Sequence, residues 1–191
     1  MKRNQQPWDF LDDFRGRVFE GEWPTLPELF EISTERFAER PCFTVYEPDR
    51  VSLTYREAWE RIKGTAGYLI DSGVKPGDRV AISGANSPEW AVAYLAVLTA
   101  GGVVVPIDYA LSATEIKGLI KAAGAEVLFI DGEKEPDFSA GKGGLKQLIG
   151  LSKKSGSYIY TISSSTIPAR GLTAADDLAA ILFTSGTTGR P

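Results

Sequence analysis

The sequence contains no histidine at all, one cysteine and one methionine. Without histidine, no Ser-His or Cys-His mechanism is available, and the commonest metal ligand is missing. A single cysteine excludes an internal disulfide framework and fits a reducing compartment. That residue, Cys42, lies in the segment CFTVYE, where it reads as a small buried hydrophobe and not as a nucleophile. The 21 basic residues stand against 25 acidic ones with no basic run, so nothing recommends a nucleic acid as partner.

Long apolar runs are absent too. The longest, Ala91 to Ile107, is broken by Gly101, Gly102 and Pro106 and reads as a buried helix turning into a buried strand, not a membrane span. The N-terminus, MKRNQQPWDF, lacks the apolar core of a secretory signal. Together these features lead us to expect a cytoplasmic protein. At 191 residues, 43% hydrophobic and 24% charged, the chain is long enough for one substantial globular core.

What is present is a set of helix starts and short apolar strands. Residues 1–25 mix Trp8, Phe10, Leu11, Phe14 and Phe19 with charges at no clean period and read as an arm packed on the core. Thr25-Leu-Pro-Glu28 is a capping box predicting a helix that runs until Pro41 stops it, with Leu29, Phe30, Ser33 and Phe37 inward. Cys42 to Glu47 and Val51 to Thr54 flank Pro48-Asp49-Arg50 as a hairpin. A second box, Thr54 to Glu57, opens a helix with Tyr55, Ala58, Trp59, Ile62, Ala66, Leu69 and Ile70 on one stripe, closed by Gly73. Trp59 lies inside that stripe, so packing explains it better than adenine stacking.

Strand Arg79 to Ser83 follows, then a helix opened by Asn86-Ser87-Pro88-Glu89, strand Val103 to Ile107, a helix opened by Ser112 to Glu115 and closed at Gly124, and strand Glu126 to Ile130. This is an α/β arrangement: a parallel-sheet βαβαβ unit with helices on both faces, preceded by a helix and hairpin. Such sheets bind ligands beyond the carboxyl ends of their strands, here at the loops Gly84 to Ser87 and Asp108 to Leu111. The first of these is explained by capping and carries no nucleotide fingerprint. Beyond Asp131 the chain is glycine- and charge-rich; Leu145 to Lys154 reads as a short helix and Ser157 to Ile162 as a strand.

The chemistry is concentrated at the end. Leu178 to Phe183 reads as a strand and runs into Thr184-Ser-Gly-Thr-Thr-Gly189, a loop of hydroxyl residues and glycines. Such a loop offers a polyphosphate closely spaced backbone N–H and hydroxyl donors. The bland reading is a Ser/Thr/Gly surface turn. The spacing does not fit the P-loop of the NTPases.

TSGTTGRP resembles the phosphate-binding signature of the adenylate-forming enzymes, the superfamily of acyl-CoA synthetases, firefly luciferases and peptide adenylation domains, in which it continues with Lys-Gly. LTYREAWERI, GVKPGDRVAISGANSPEWAVAYLAVLTAGGVVVPID and AGAEVLFID are similar to the N-terminal subdomain of the same family, in the same order. The resemblance implies a partial N-terminal AMP-binding domain over residues 1–191, ending inside the phosphate-binding loop, with the C-terminal domain absent. It implies a parent that joins a carboxylic acid to coenzyme A through an acyl-adenylate, using ATP and magnesium. Residue by residue, Thr184, Ser185, Gly186, Thr187, Thr188 and Gly189 match holders of the ATP β- and γ-phosphates, and Thr184 a magnesium-side hydroxyl; no catalytic residue is carried over. The segments PEW and GGVVVPID lean toward the fatty acyl branch.

The resemblance further implies that this stretch by itself does not adenylate, and that its last strand presents an open edge prone to self-association. Two other readings stand beside it. One is a non-enzymatic nucleotide- or protein-binding module, or half of a split adenylating enzyme; the other is a flavodoxin-like or Rossmann redox domain, which shares the βαβαβ unit but lacks its glycine fingerprint.

Overall fold

A computed structural model describes residues 24–47, 50–138 and 144–184. The N-terminal arm up to residue 23, the hairpin turn at Pro48-Asp49, and Ser185 to Gly189 with the two residues after them lie outside the described residues.

Helix α1, Leu26–Phe37, starts where its capping box places it: the Glu28 carboxylate accepts from both the backbone N–H and the hydroxyl of Thr25, each at 2.8 Å. It ends at Phe37, four residues before Pro41. Strands β1 (Pro41–Val45) and β2 (Val51–Thr54) pair antiparallel as the expected hairpin. Thr54 caps α2, Tyr55–Asp71, whose Ala58, Ile62, Ala66 and Leu69 are fully buried. Trp59 packs against the Phe30 ring with centroids 5.9 Å apart, which settles it as core.

Next come β3 (Arg79–Ser83), α3 (Pro88–Thr99), β4 (Val103–Pro106), α4 (Ala113–Ala123) and β5 (Val127–Ile130). The Ser87 hydroxyl accepts from Trp90 N–H to start α3, and the Ser112–Glu115 box starts α4, which ends at Gly124 with φ of +68°.

Three sequence expectations are corrected. Leu145 to Lys154 is not a helix: Gln147–Gly150 forms β6, parallel to β5, because Leu148 and Ile149 alternate onto opposite faces of the sheet. Ser157 to Ile162 is not a strand; it makes one bridge, Gly150 to Tyr158, and turns away. Leu29 does not face inward but is 37% exposed, while Thr34 is buried and returns its hydroxyl to the Phe30 carbonyl.

The four parallel strands run in the order β4-β3-β5-β6. Their side chains alternate with period two. Val80, Ile82, Val104, Val127, Phe129 and Ile149 join a core shared with α2 and α3, while Ala81, Val105, Ile107, Leu128 and Ile130 join a second core under α4. Helices α3 and α4 therefore cover opposite faces. The chain leaves β3 toward one face and β4 toward the other, and the sheet opens a crevice between their carboxyl ends.

Candidate phosphate-binding site

That crevice is present as a cleft of about 370 Å³ lined by Gly84, Ala85, Asn86, Trp90, Pro106, Ile107, Asp108 and Tyr109. Its first wall is the β3–α3 loop. Gly84 leaves room there for the Leu151 side chain, whose Cδ1 would lie 2.7 Å from a Cβ at this position and would have to shift. The second wall is the β4–α4 loop, closed on itself by a bond from Ala110 N–H to Asp108 Oδ1 at 2.9 Å.

The connection after β5 braces both walls. Asp131 accepts from Gly132 N–H at 2.8 Å and, more weakly, from Ala85 N–H at 3.4 Å. Lys134 donates to the carbonyls of Tyr109 and Leu111, and the Tyr109 hydroxyl donates to Glu133 Oε2 at 2.9 Å. That bond to Glu133 holds the Tyr109 phenol above its ordinary pKa. Carboxylates thus dominate the rim of the cleft, and the Lys134 ammonium is already engaged. The cleft proper is a poor seat for a polyphosphate.

The segment with the right chemistry arrives beside it. Ala179 to Phe183 lies parallel to β4 on the strand's free side: Val104 N–H donates to Ala179 O and Ile181 N–H to Val104 O, both at 2.9 Å. The pairing is one bridge long, shorter than the strand expected from the apolar run. Ala180 packs on the α2–α3 core, and Ile181 and Phe183 pack on the α4 core. Because the pairing is parallel, the chain is carried to the carboxyl end of the sheet. Thr184 emerges there, exposed, one strand spacing of about 4.8 Å outward from β4. Of the six candidate phosphate ligands, Thr184 alone is described; Ser185, Gly186, Thr187, Thr188 and Gly189 lie outside the described residues.

Among the described residues no group of three or more His, Cys, Asp or Glu side chains is arranged to hold a metal, and no helix is long and apolar enough to cross a membrane. Cys42 is half-buried against the α2–α3 core, where desolvation pushes its thiol up to about 11, so it is protonated and unreactive at neutral pH. Sequence reasoning missed the braces: Tyr109, Glu133 and Lys134 stand in no motif, and only the fold brings their loops together.

The family model described as AMP-binding enzyme matches residues 30–191. Malpinin synthetase of Mortierella alpina is 34% identical over 168 residues, 87% of this chain and 2% of that protein. Long-chain-fatty-acid–CoA ligase FadD15 of Mycobacterium bovis is 34% identical over 174 residues, 82% of this chain and 29% of that protein. Among solved structures, the Klebsiella oxytoca NpsA N-terminal subdomain in complex with 3-hydroxybenzoyl-AMSN superposes with a TM-score of 0.71 at 28% identity, covering 88% of this chain and 40% of that one. The chain thus spans well under half the length of each. The parallel sheet, the segment bridged beside β4 and the match over residues 30–191 agree, and the chain belongs to the AMP-binding enzyme family.

Proposed function

We propose that this chain supplies the N-terminal, phosphate-holding part of an AMP-forming carboxylate:CoA ligase, as a partial AMP-binding domain. In the first step a carboxylate oxygen attacks the α-phosphorus of ATP; the bond to the β-phosphate oxygen breaks and pyrophosphate leaves, giving an acyl-adenylate. In the second a thiol, that of coenzyme A, attacks the acyl carbon and AMP departs. The attacking carboxylate is already ionised at neutral pH, so the first step requires alignment and charge neutralisation more than a base, in keeping with a chain that has no histidine.

In this reading Thr184, Ser185, Gly186, Thr187, Thr188 and Gly189 hold the β- and γ-phosphates, with Thr184 beside the magnesium ion. The hydroxyl and glycine donors suit phosphate oxygens, and Thr184 stands at the ligand-binding end of a parallel sheet. The Thr184 hydroxyl would stand beside a magnesium ion, which would supply positive charge to offset that of the leaving pyrophosphate. The acid we take to be a fatty acid, from the PEW and GGVVVPID segments; an amino acid, as the resemblance to peptide adenylation domains implies, is the competing choice.

The observation that supports the proposal is the placement of Ala179 to Phe183 beside β4, which brings Thr184 to the sheet's carboxyl end. Its test is titration of the chain with MgATP. Changing Thr187 and Thr188 together to alanine is expected to weaken binding at least about tenfold, the loss of two hydroxyl bonds to a charged group. Unchanged affinity would remove the loop from the site. The chain alone is expected to show no ATP–pyrophosphate exchange. A measurable exchange rate would show that it needs nothing further for adenylation.

A further inference from the structure

A groove of about 430 Å³, larger than the cleft beside β4, lies between the start of α1 and the chain just before Ala179. Pro24, Leu26 and Pro27 line it from one side, Ala175 and Leu178 from the other, and Leu98 of α3 lines it as well. Both sides are held in place by their own hydrogen bonds. The capping box at Thr25 fixes the first. The second is a turn closed twice over: Ala174 N–H donates to Asp177 Oδ2 at 2.7 Å, and Asp177 N–H donates to the Ala174 carbonyl at 3.1 Å. Even so, Leu26 is 48% and Leu178 59% exposed. Apolar surface on a preformed groove is stabilised by whatever removes it from water.

The chain supplies a covering segment at the groove's own edge. Pro24 is the first described residue and lines the groove, so residues 1–23 lead directly into it. Those residues include five aromatic side chains, Trp8, Phe10, Phe14, Phe19 and Trp23. Phe19 is five positions before Pro24, a span of no more than about 18 Å even when fully extended. So short a tether keeps the Phe19 and Trp23 rings at high local concentration over the groove, where even a weak contact is populated. Charge agrees with this choice. Asp176 on the groove's rim makes no ion pair among the described residues, and Arg15 and Arg17 stand close to Phe19 in the sequence.

We propose that this groove is the docking surface for residues 1–23, with Phe19 and Trp23 seated against Leu98 and Leu178 and the arginines facing Asp176. The occupant is the chain's own N-terminal segment. Its docking ties the start of α1 to the turn at Ala174–Asp177, and it leaves Leu182, which lies outside the groove, exposed. The proposal stands apart from the functional reading above and is tested without nucleotide.

The experiment uses the full chain with labelled leucine methyl groups. Nuclear Overhauser contacts are expected from the Leu98 and Leu178 methyls to the ring protons of Phe19 or Trp23. A mixed sample of labelled and unlabelled chains, filtered for contacts between molecules, is expected to show none of them. Absence of the contacts in the native chain overturns the proposal. Contacts that occur only between molecules overturn it as well, because a second copy then fills the groove.

Trypsin gives an independent reading. Cleavage after Arg15 and Arg17 is expected to be about tenfold faster in Phe19→Ser/Trp23→Ser than in the native chain, the effect of losing roughly one buried aromatic side chain. Asp176→Lys keeps both rings and is expected to speed the same cleavage about threefold, the effect of reversing one exposed charge. Cleavage after Lys153 and Lys154, exposed in the turn beyond β6, is expected to be unchanged in both. Native rates after Arg15 and Arg17 in the double variant overturn the proposal. Should the double variant fail to fold, seen as faster cleavage at Lys153 and Lys154 too, the methyl contacts of the native chain and the rate in Asp176→Lys decide the question.

Discussion

Two residues of α2 decide how the segment after β6 lies on the molecule. Gly67 is buried under that segment, and a Cβ there would stand 2.3 Å from the carbonyl oxygen of Thr166. Alanine in a helix is ordinarily favoured over glycine by about 1 kcal/mol. Here overpacking against an immobile backbone atom costs about 1–3 kcal/mol and wins. Gly67→Ala is therefore expected to lower the urea midpoint and to open residues 163–172 to protease, and a midpoint at or above native would show that Thr166 moves aside freely.

One turn further along α2, Asp71 accepts from the hydroxyls of Ser164 and Thr166. Those two bonds, Ser164's first, hold its carboxyl below the ordinary carboxylate range. A group whose folded pKa is depressed stabilises the fold fully above its unfolded value, about 4, and loses that contribution as pH falls through the lowered folded value. Asp71→Asn keeps an acceptor oxygen and does not titrate. Its melting temperature should therefore fall less steeply than that of the native chain below about pH 4. Parallel curves for the two proteins would discard this role for Asp71.

At the scale of elements, helix starts are governed locally and the last strand is not. In the boxes at Thr54–Glu57 and Ser112–Glu115 the acid accepts from its own cap residue, and each carboxyl is held below its usual range by those bonds. Four residues suffice to specify such a start. Ala179 to Phe183, by contrast, owes its place to two backbone bonds with Val104 and to three side chains reaching two different cores. Ile181→Pro removes the N–H that donates to Val104 O. It is expected to abolish MgATP binding while leaving most of the far-ultraviolet circular dichroism intact, because neither α2 nor α4 depends on that bond. Retained affinity would mean that the loop finds its place without the sheet.

At the scale of the molecule, β6 is bridged at Gly150 by Tyr158, and the other side of the sheet ends at the segment Ala179 to Phe183. Among the described residues, Ala179 to Phe183 pairs on one side only, with β4. Leu178 and Leu182 on that segment are 59% and 72% exposed. An apolar, unpaired edge is a template for association. Light scattering on the chain is expected to show self-association that grows with concentration. A monodisperse monomer at high concentration would count against it.

The short apolar runs, the capping boxes and the closing glycines determined the βαβαβ unit. Each signal is local: a cap, a stop or a period of two is complete within a few residues. The Ser/Thr/Gly loop stood out as a candidate phosphate site for the same reason, because a site of that kind depends on residue types in one short run. The tertiary structure decided what depends on distant partners. It made Gln147–Gly150 a strand because β5 offered a free side, turned Ser157 to Ile162 away after a single bridge, and left Leu29 exposed while its neighbour Phe30 packed on Phe43 and Trp59. It also brought Lys134 onto Tyr109 and Leu111, a meeting that no local pattern encodes, since the loops after β4 and β5 meet across the end of β3, the strand between them.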